Sequence, residues 1–369
     1  MQQMVRHLLL LALVARSAVA VADPCEFVRP SDDGKTFVTA NSGQPIPLWG
    51  VNYDHDGDNR LLEDYWHDEW PRVVEDFQEI KALGANSVRV HLQLGRFMTS
   101  ADEPDAKNLA QLSKLIALAE ETQLYLIITG LGCYHKQDVP AWYDKLGEQD
   151  RWQAQTKFWK AVAAVAKDSP AVFSYDLMNE PILPGEKGES DWLAKPLGDK
   201  HFVQRIALDL AGRSREEVAK AWVETLATAI RDVDPRHMIT VGVIPWAHYF
   251  PKAKPLFYSP EVGGPLDYVS VHFYPKKGEV QKALDALRVY EVGKPVVIEE
   301  IFPLACSGEE LLDFINRSKS HADGWISFYW GQTVEECEAR GDMGGAITAA
   351  WLKQFRRHAP KQDRQDPAD

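Results

Sequence analysis

Strand-length apolar runs alternate with helix-length amphipathic ones along nearly the whole chain, which predicts an α/β fold of the (β/α)8 TIM barrel class. Three observations carry that prediction. The alternation yields eight strands once the run at residues 48–52 is counted. Charged, amide and aromatic residues gather where those runs end, and barrels of this class keep their reacting groups at the C-terminal ends of their strands. No composition break divides the 369 residues, a length that one barrel with insertions fills.

The elements follow in order. Arg6 and His7 precede an apolar run at residues 8–15, and Ala18-Val19-Ala20-Val21-Ala22 offers two small-residue cleavage sites. That is the pattern of an export signal over residues 1–22, so a secreted or periplasmic protein is expected. The run is too short to span a membrane, and no stable membrane anchor is expected. The runs 36–39 and 44–50 flank Asn41-Ser42-Gly43 and read as a short N-terminal hairpin. Val73, Val74, Phe77, Ile80 and Leu83 recur at helical spacing until Gly84 stops the helix. Strand 87–91, helix 109–122, strand 125–129, helix 152–167 and strand 171–178 come next.

Residues 181–211, rich in Gly, Pro and charge, read as an insertion after the fourth strand. Helix 216–233 and strands 238–243 and 268–272 resume the alternation, followed by helix 280–290 and strand 295–298. Ser307-Gly308-Glu309-Glu310 is a capping box that opens a helix at 311–317. Strand 324–329 and helix 347–357 complete a single domain over residues 23–359, and the polar tail 360–369 is expected to fray.

A net charge of −13 with no basic stripe excludes a nucleic-acid partner, and the 45% apolar and 26% charged residues are those of an ordinary globular chain. A monomer is expected. The four cysteines, Cys25, Cys133, Cys306 and Cys337, have no zinc-like spacing, and no His-x-His pair is present; no metal and no cofactor are expected. In an exported chain four cysteines permit disulfides, and a Cys306–Cys337 bridge and free buried thiols are both open.

The strand ends gather Asn52, Arg89 with His91, Asn179-Glu180, Trp246, His272 with Tyr274, Glu299-Glu300 and Trp330. Two acids, several hydrogen-bonding groups and aromatic plates suit a neutral, hydroxyl-rich ring. Cleaving a glycosidic bond requires one carboxyl protonated near neutral pH and another ionised, so their surroundings must differ. A cationic Arg89 beside Glu300 would favour ionisation of that acid. Strand alternation sets Glu299 and Glu300 on opposite faces and so predicts that only one of them faces the barrel interior. His272 and Tyr274 share a face, whereas His91 and His135 fit substrate contact and plain packing equally well. Trp330 is expected to stack on a sugar ring.

In this order and spacing, the motifs Leu48-Trp49-Gly50-Val51-Asn52, Val88-Arg89-Val90, Asn179-Glu180-Pro181, His272-Phe273-Tyr274, Lys294-Pro295-Val296-Val297-Ile298-Glu299-Glu300 and Trp330 resemble glycoside hydrolase family 5, the cellulase and β-mannanase group of retaining enzymes. The resemblance runs from about Phe37 to Trp351. It implies that Glu180 is the general acid/base, that Glu300 is the nucleophile, and that Asn179 holds the sugar 2-hydroxyl. It also implies that Tyr274 and Arg89 support the nucleophile. Two departures stand out: the third strand ends Thr129-Gly130-Leu131-Gly132-Cys133-Tyr134-His135, and Ile301-Phe302-Pro303 follows the nucleophile. They leave subfamily and substrate open. An oligo- or polysaccharide substrate follows from the resemblance. A transglycosylase on the same residues and a non-catalytic carbohydrate-binding barrel are the alternatives.

Overall fold

The computed structural model describes residues 25–328 and 330–360. The export signal, most of the polar tail and Tyr329 lie outside the described residues.

Eight parallel strands close into a barrel. They are β3 (Leu48–Tyr53), β4 (Ser87–Gln93), β5 (Tyr125–Gly132), β6 (Val172–Asn179), β9 (Met238–Val243), β10 (Val269–His272), β11 (Val296–Ile301) and β12 (Gly324–Ser327), hydrogen-bonded in the circular order β10-β11-β12-β3-β4-β5-β6-β9. Every residue of these strands is buried, as expected of parallel strands covered by helices on one side and by the barrel interior on the other. Each helix forecast from periodicity is present, with its ends moved by a few residues: Trp70–Ala82, Ala106–Thr122, Glu148–Ala166, Arg215–Arg231, Val280–Leu287, Gly308–Ser318 and Met343–His358. The Ser307 box forms as read, with Ser307 Oγ accepting from Glu310 N–H and Glu310 reaching back to Ser307 N–H. An additional helix, Val334–Ala339, was not anticipated.

The hairpin turns at Asn41-Ser42-Gly43 as expected: Val38 bridges Pro45 antiparallel, Thr39 N–H donates to the Gln44 carbonyl (2.9 Å) and Ile46 N–H to the Phe37 carbonyl (3.0 Å). An unforeseen strand joins it, β1 (Val28–Pro30) pairing antiparallel with β2 (Phe37–Thr39), and the chain then enters the barrel at Leu48. The hairpin plugs the N-terminal end of the barrel. Val28 and Phe37 pack there with Tyr125, Ile127, Phe173, Met238, Tyr268 and Val297. The Phe37 ring lies 5.0 Å from Phe173 and 5.4 Å from Tyr268, both edge-on, the preferred packing of aromatic pairs.

The insertion after β6 carries two short strands, β7 (Pro181–Ile182) and β8 (Gln204–Arg205), paired with each other. It runs over the C-terminal ends of the neighbouring strands. All four cysteines are free thiols, Cys133 and Cys337 buried, so no Cys306–Cys337 bridge exists. Among the described residues no helix is long and apolar enough to cross a membrane.

Candidate active site

The C-terminal half of the barrel interior is built around one guanidinium. Arg89, on β4, is fully buried, and burial of a charge is tolerated only when it is paired on every side. Its Nη1 donates to Asn52 Oδ1 (2.9 Å) and Glu300 Oε1 (2.9 Å). Its Nη2 donates to Asp176 Oδ2 (2.7 Å) and Asn179 Oδ1 (2.8 Å), and Nε faces Glu299 Oε2 at 3.3 Å. Burial opposes the charge, but Glu299, Asp176 and Glu300 together hold Arg89 firmly cationic.

Both glutamates of the pair on β11 face inward. The expectation that strand alternation sends Glu299 and Glu300 to opposite faces is therefore wrong here. The physical reason is an irregularity in β11. Its register against β10 shifts after Ile298, pairing Glu300 with His272, and its register against β12 shifts between Ile298 and Ile301. Such a bulge re-aims side chains that strict alternation would separate. Glu299 accepts from Tyr268 Oη (3.2 Å) and from Ser270 Oγ, and has no solvent contact. Glu300 keeps 8% of its side chain exposed and accepts from Tyr274 Oη at 2.7 Å.

Glu180 follows the end of β6 with φ of +47°, a left-handed conformation that costs a non-glycine residue about 1–3 kcal/mol and clusters at functional sites. Its amide donates to the Gly242 carbonyl (2.9 Å), which locks the bend. The bend turns the carboxylate over the mouth, where 16% of the side chain remains exposed. His272 stands between the two acids: Nδ1 is 3.0 Å from Glu180 Oε1 and 3.4 Å from Glu300 Oε2. One oxygen of each carboxylate and one His272 nitrogen all lie within 4.8 Å of one another.

The charges do not balance. Arg89 and His272 are two cations facing the four carboxylates Asp176, Glu180, Glu299 and Glu300. Burial works against a charged His272, yet Glu300 and the contact with Glu180 raise it to about 10, so it is protonated at neutral pH. Burial lifts Asp176 to about 6, with Glu299 adding to the rise. Burial also raises Glu300 above the usual carboxylate range although His272 and Arg89 oppose it. Arg89 favours Glu300 ionisation as expected, but the net direction is the opposite of the one that expectation implied. Desolvation outweighs the guanidinium, which is shared among three carboxylates.

Glycine is required at Gly242, on β9. A Cβ there would lie 2.7 Å from His272 Nε2, 3.0 Å from Glu299 Oε2 and 3.1 Å from Arg89 Nη2. Among the described residues Glu180, His272 and Glu300 are close enough to share a metal ion, but a metal would have to displace the His272 proton.

Of the residues singled out from sequence, Arg89, Asn179, Glu180, His272, Tyr274 and Glu300 come together around one space. His91 is buried beside them, bonded to Asn52 Oδ1 (3.1 Å) and to Tyr134 Oη, and burial with the neighbouring Arg89 holds it neutral. His135 stands away from the acids, 3.9 Å from Asp199. Trp330, expected as a sugar platform, is 2% exposed and packs edge-on against Tyr53 at 5.8 Å, as a core ring does. Asp176 was missed. Its signal was present: a carboxylate inside the apolar run Val172-Phe173-Ser174-Tyr175-Asp176-Leu177 needs a cationic partner, and Arg89 stood in the same condition.

The family described as Cellulase (glycosyl hydrolase family 5) matches residues 40–333. A mannan endo-1,4-beta-mannosidase F from Aspergillus clavatus is 24% identical over 226 residues, covering 57% of this chain and 44% of that protein. The chain thus spans less than half the length of that relative. An exo-beta-1,4-mannosidase from Opitutaceae bacterium strain TAV5 superposes with a TM-score of 0.64 at 15% identity, covering 89% of this chain and 61% of that one. The catalytic domain of a Thermobifida fusca endoglucanase gives a TM-score of 0.58 at 16% identity, covering 89% and 96%. At such identities these likenesses show the barrel fold.

Proposed function

The chain belongs to glycosyl hydrolase family 5, and from that premise we propose that it hydrolyses β-linked glycans of the mannan or glucan type by double displacement with retention of configuration. The observation that carries the reading is the closeness of the Glu180 and Glu300 carboxylates, each with an oxygen inside the 4.8 Å cluster around His272. Retaining enzymes hold their two carboxyl groups about 5–5.5 Å apart, whereas inverting ones leave about 6.5–9.5 Å for a water.

Glu300 attacks the anomeric carbon, and Glu180 gives its proton to the departing oxygen. The resulting glycosyl ester is then hydrolysed by water that Glu180 deprotonates. A sugar ring over Glu300 dilutes neither cation, so Arg89 and His272 are aimed at the carboxylate charge before the reaction begins, the preorganisation that electrostatic catalysis needs. Tyr274 Oη, bonded to Glu300, fixes the attacking oxygen's orientation. Mannan-type polymers are the first substrates to try, because the curated relative and the first structural neighbour both act on β-1,4-mannosides.

We further propose an exported monomer. The signal-like residues 1–22 support export. Proton NMR of the first product from β-mannan or β-glucan tests the mechanism: the β-anomer should appear before mutarotation. An α-anomer as first product would sink retention. N-terminal sequencing of the protein from culture medium or periplasm should begin near residue 23.

A further inference from the structure

Resting on the reading of Glu180 as the acid, we propose that the insertion after β6 closes the non-reducing end of the cleft, so that the enzyme removes single sugars from chain ends. The acid protonates the leaving oxygen, so the leaving group lies beside Glu180. On the β9 side a cavity of about 920 Å³ is lined by Pro181, the residue after the acid, and by Val243, Ile244, Trp246 and Phe250, with Trp246 41% and Phe250 61% exposed. The glycone, the non-reducing part of the substrate, must therefore extend the opposite way, over the arc β5-β4-β3-β12.

That arc is walled. Asn179 Nδ2 donates to the Phe202 carbonyl (3.0 Å), fixing the insertion against the residue before the acid. Gln204 Nε2 donates to the Leu131 carbonyl (2.9 Å) and His201 N–H to the Tyr134 carbonyl (2.8 Å), which carries the segment across the end of β5. The Phe202 ring packs on Tyr134 (5.0 Å) and on Phe328 beyond β12 (6.2 Å), and Phe328 in turn meets Tyr274 (6.4 Å). The far end hooks onto the loop after β3. Lys200 Nζ, almost wholly buried, donates to the Asn59 carbonyl (3.2 Å) and side chain, while Asn59 Nδ2 donates to both oxygens of Asp199 (3.1 Å). An aromatic and hydrogen-bonded strap thus spans from β6 to β3 and closes in on Asn179 and Tyr274, the residues flanking Glu180 and Glu300.

The test uses β-1,4-mannopentaose and β-1,4-glucopentaose labelled at the reducing end, sampled at low conversion. Untagged monosaccharide with a tagged tetramer is expected from whichever series is cleaved. Tagged dimer or trimer as a first product would overturn the chain-end inference while leaving the glycosidase reading intact. No hydrolysis of either series, of polymers or of aryl β-glycosides would overturn both. Lys200→Ala and Asn59→Ala each unhook the strap and should raise the share of internal cuts about tenfold, the scale of one lost steric or polar discrimination. Folded variants, checked by circular dichroism, that keep the wild-type product pattern would contradict the strap's role.

Discussion

The two ends of the barrel interior are made from the same strands and could hardly differ more. On β6, Phe173 packs on the hairpin plug, and three residues later Asp176 grips a guanidinium. On β11, Val297 belongs to the plugged apolar cluster while Glu299 and Glu300 face Arg89 and His272. Tyr268 joins the halves, with its ring on Phe37 and its hydroxyl on Glu299. The N-terminal end obtains stability from burial that any well-shaped apolar set would supply. The C-terminal end holds an excess of negative charge, and only function explains keeping it. A residue's position along a strand thus decides whether its loss should appear in folding or in turnover.

Substitutions can break that division, and the largest effect belongs to the acids. Glu300→Gln and Glu180→Gln should each lower kcat on the order of 10⁴-fold, the scale of losing a nucleophile or general acid. Removing one of four crowded carboxylates should leave the thermal midpoint unchanged or raise it, as differential scanning calorimetry would register. A marked loss of stability would mean that the upper cluster is structural after all. Gly242→Ala comes next. The added methyl must displace His272 or Arg89, and a shift of about 1 Å in a catalytic group costs about 10²-fold in turnover. Steady-state kinetics on an aryl glycoside would measure it.

At the opposite end, Phe37→Ala should cost about 3–5 kcal/mol in denaturant unfolding, as truncation of a fully buried phenylalanine does. Turnover well below the melting range should stay within about twofold, since no catalytic group moves. The smallest effect concerns pH. His272, raised from 6.5 to about 10, faces Glu180, Glu299, Glu300 and Arg89. Its charge therefore contributes stability that is full below about 6.5 and is lost as pH rises through about 10. Glu299→Gln removes one of the carboxylates that favour the cation, so the alkaline loss of stability and activity should move to lower pH. An unmoved alkaline limb would show that Glu180 and Glu300 alone set it.

The sequence made the barrel and the outer positions of the site readable because strands buried on both faces read as continuous apolar runs, because the helices between them keep their helical spacing, and because Glu180 and Glu300 stand at the ends of their runs. What it concealed has local causes. The bulge in β11 has no signature in Ile298-Glu299-Glu300, so alternation misplaced Glu299. The hairpin partner Val28-Arg29-Pro30 is too short and too polar to read as a strand. The strap's path depends on Lys200 finding Asn59 across 141 positions, a tertiary fact without a local pattern. Trp330 read as a platform because aromatic rings at strand ends often are; here the ring is buried and meets Tyr53 edge-on.

The central claim is that Glu300 forms a covalent glycosyl ester while Glu180 serves as acid and base. Incubation with an activated 2-deoxy-2-fluoro-β-glycosyl fluoride of the preferred sugar, followed by intact mass and peptide mapping, tests it most directly. One fluoroglycosyl adduct per chain, carried by Glu300, is expected. An adduct on Glu299, or steady turnover of the reagent with unlabelled protein and an inverted product, would contradict it.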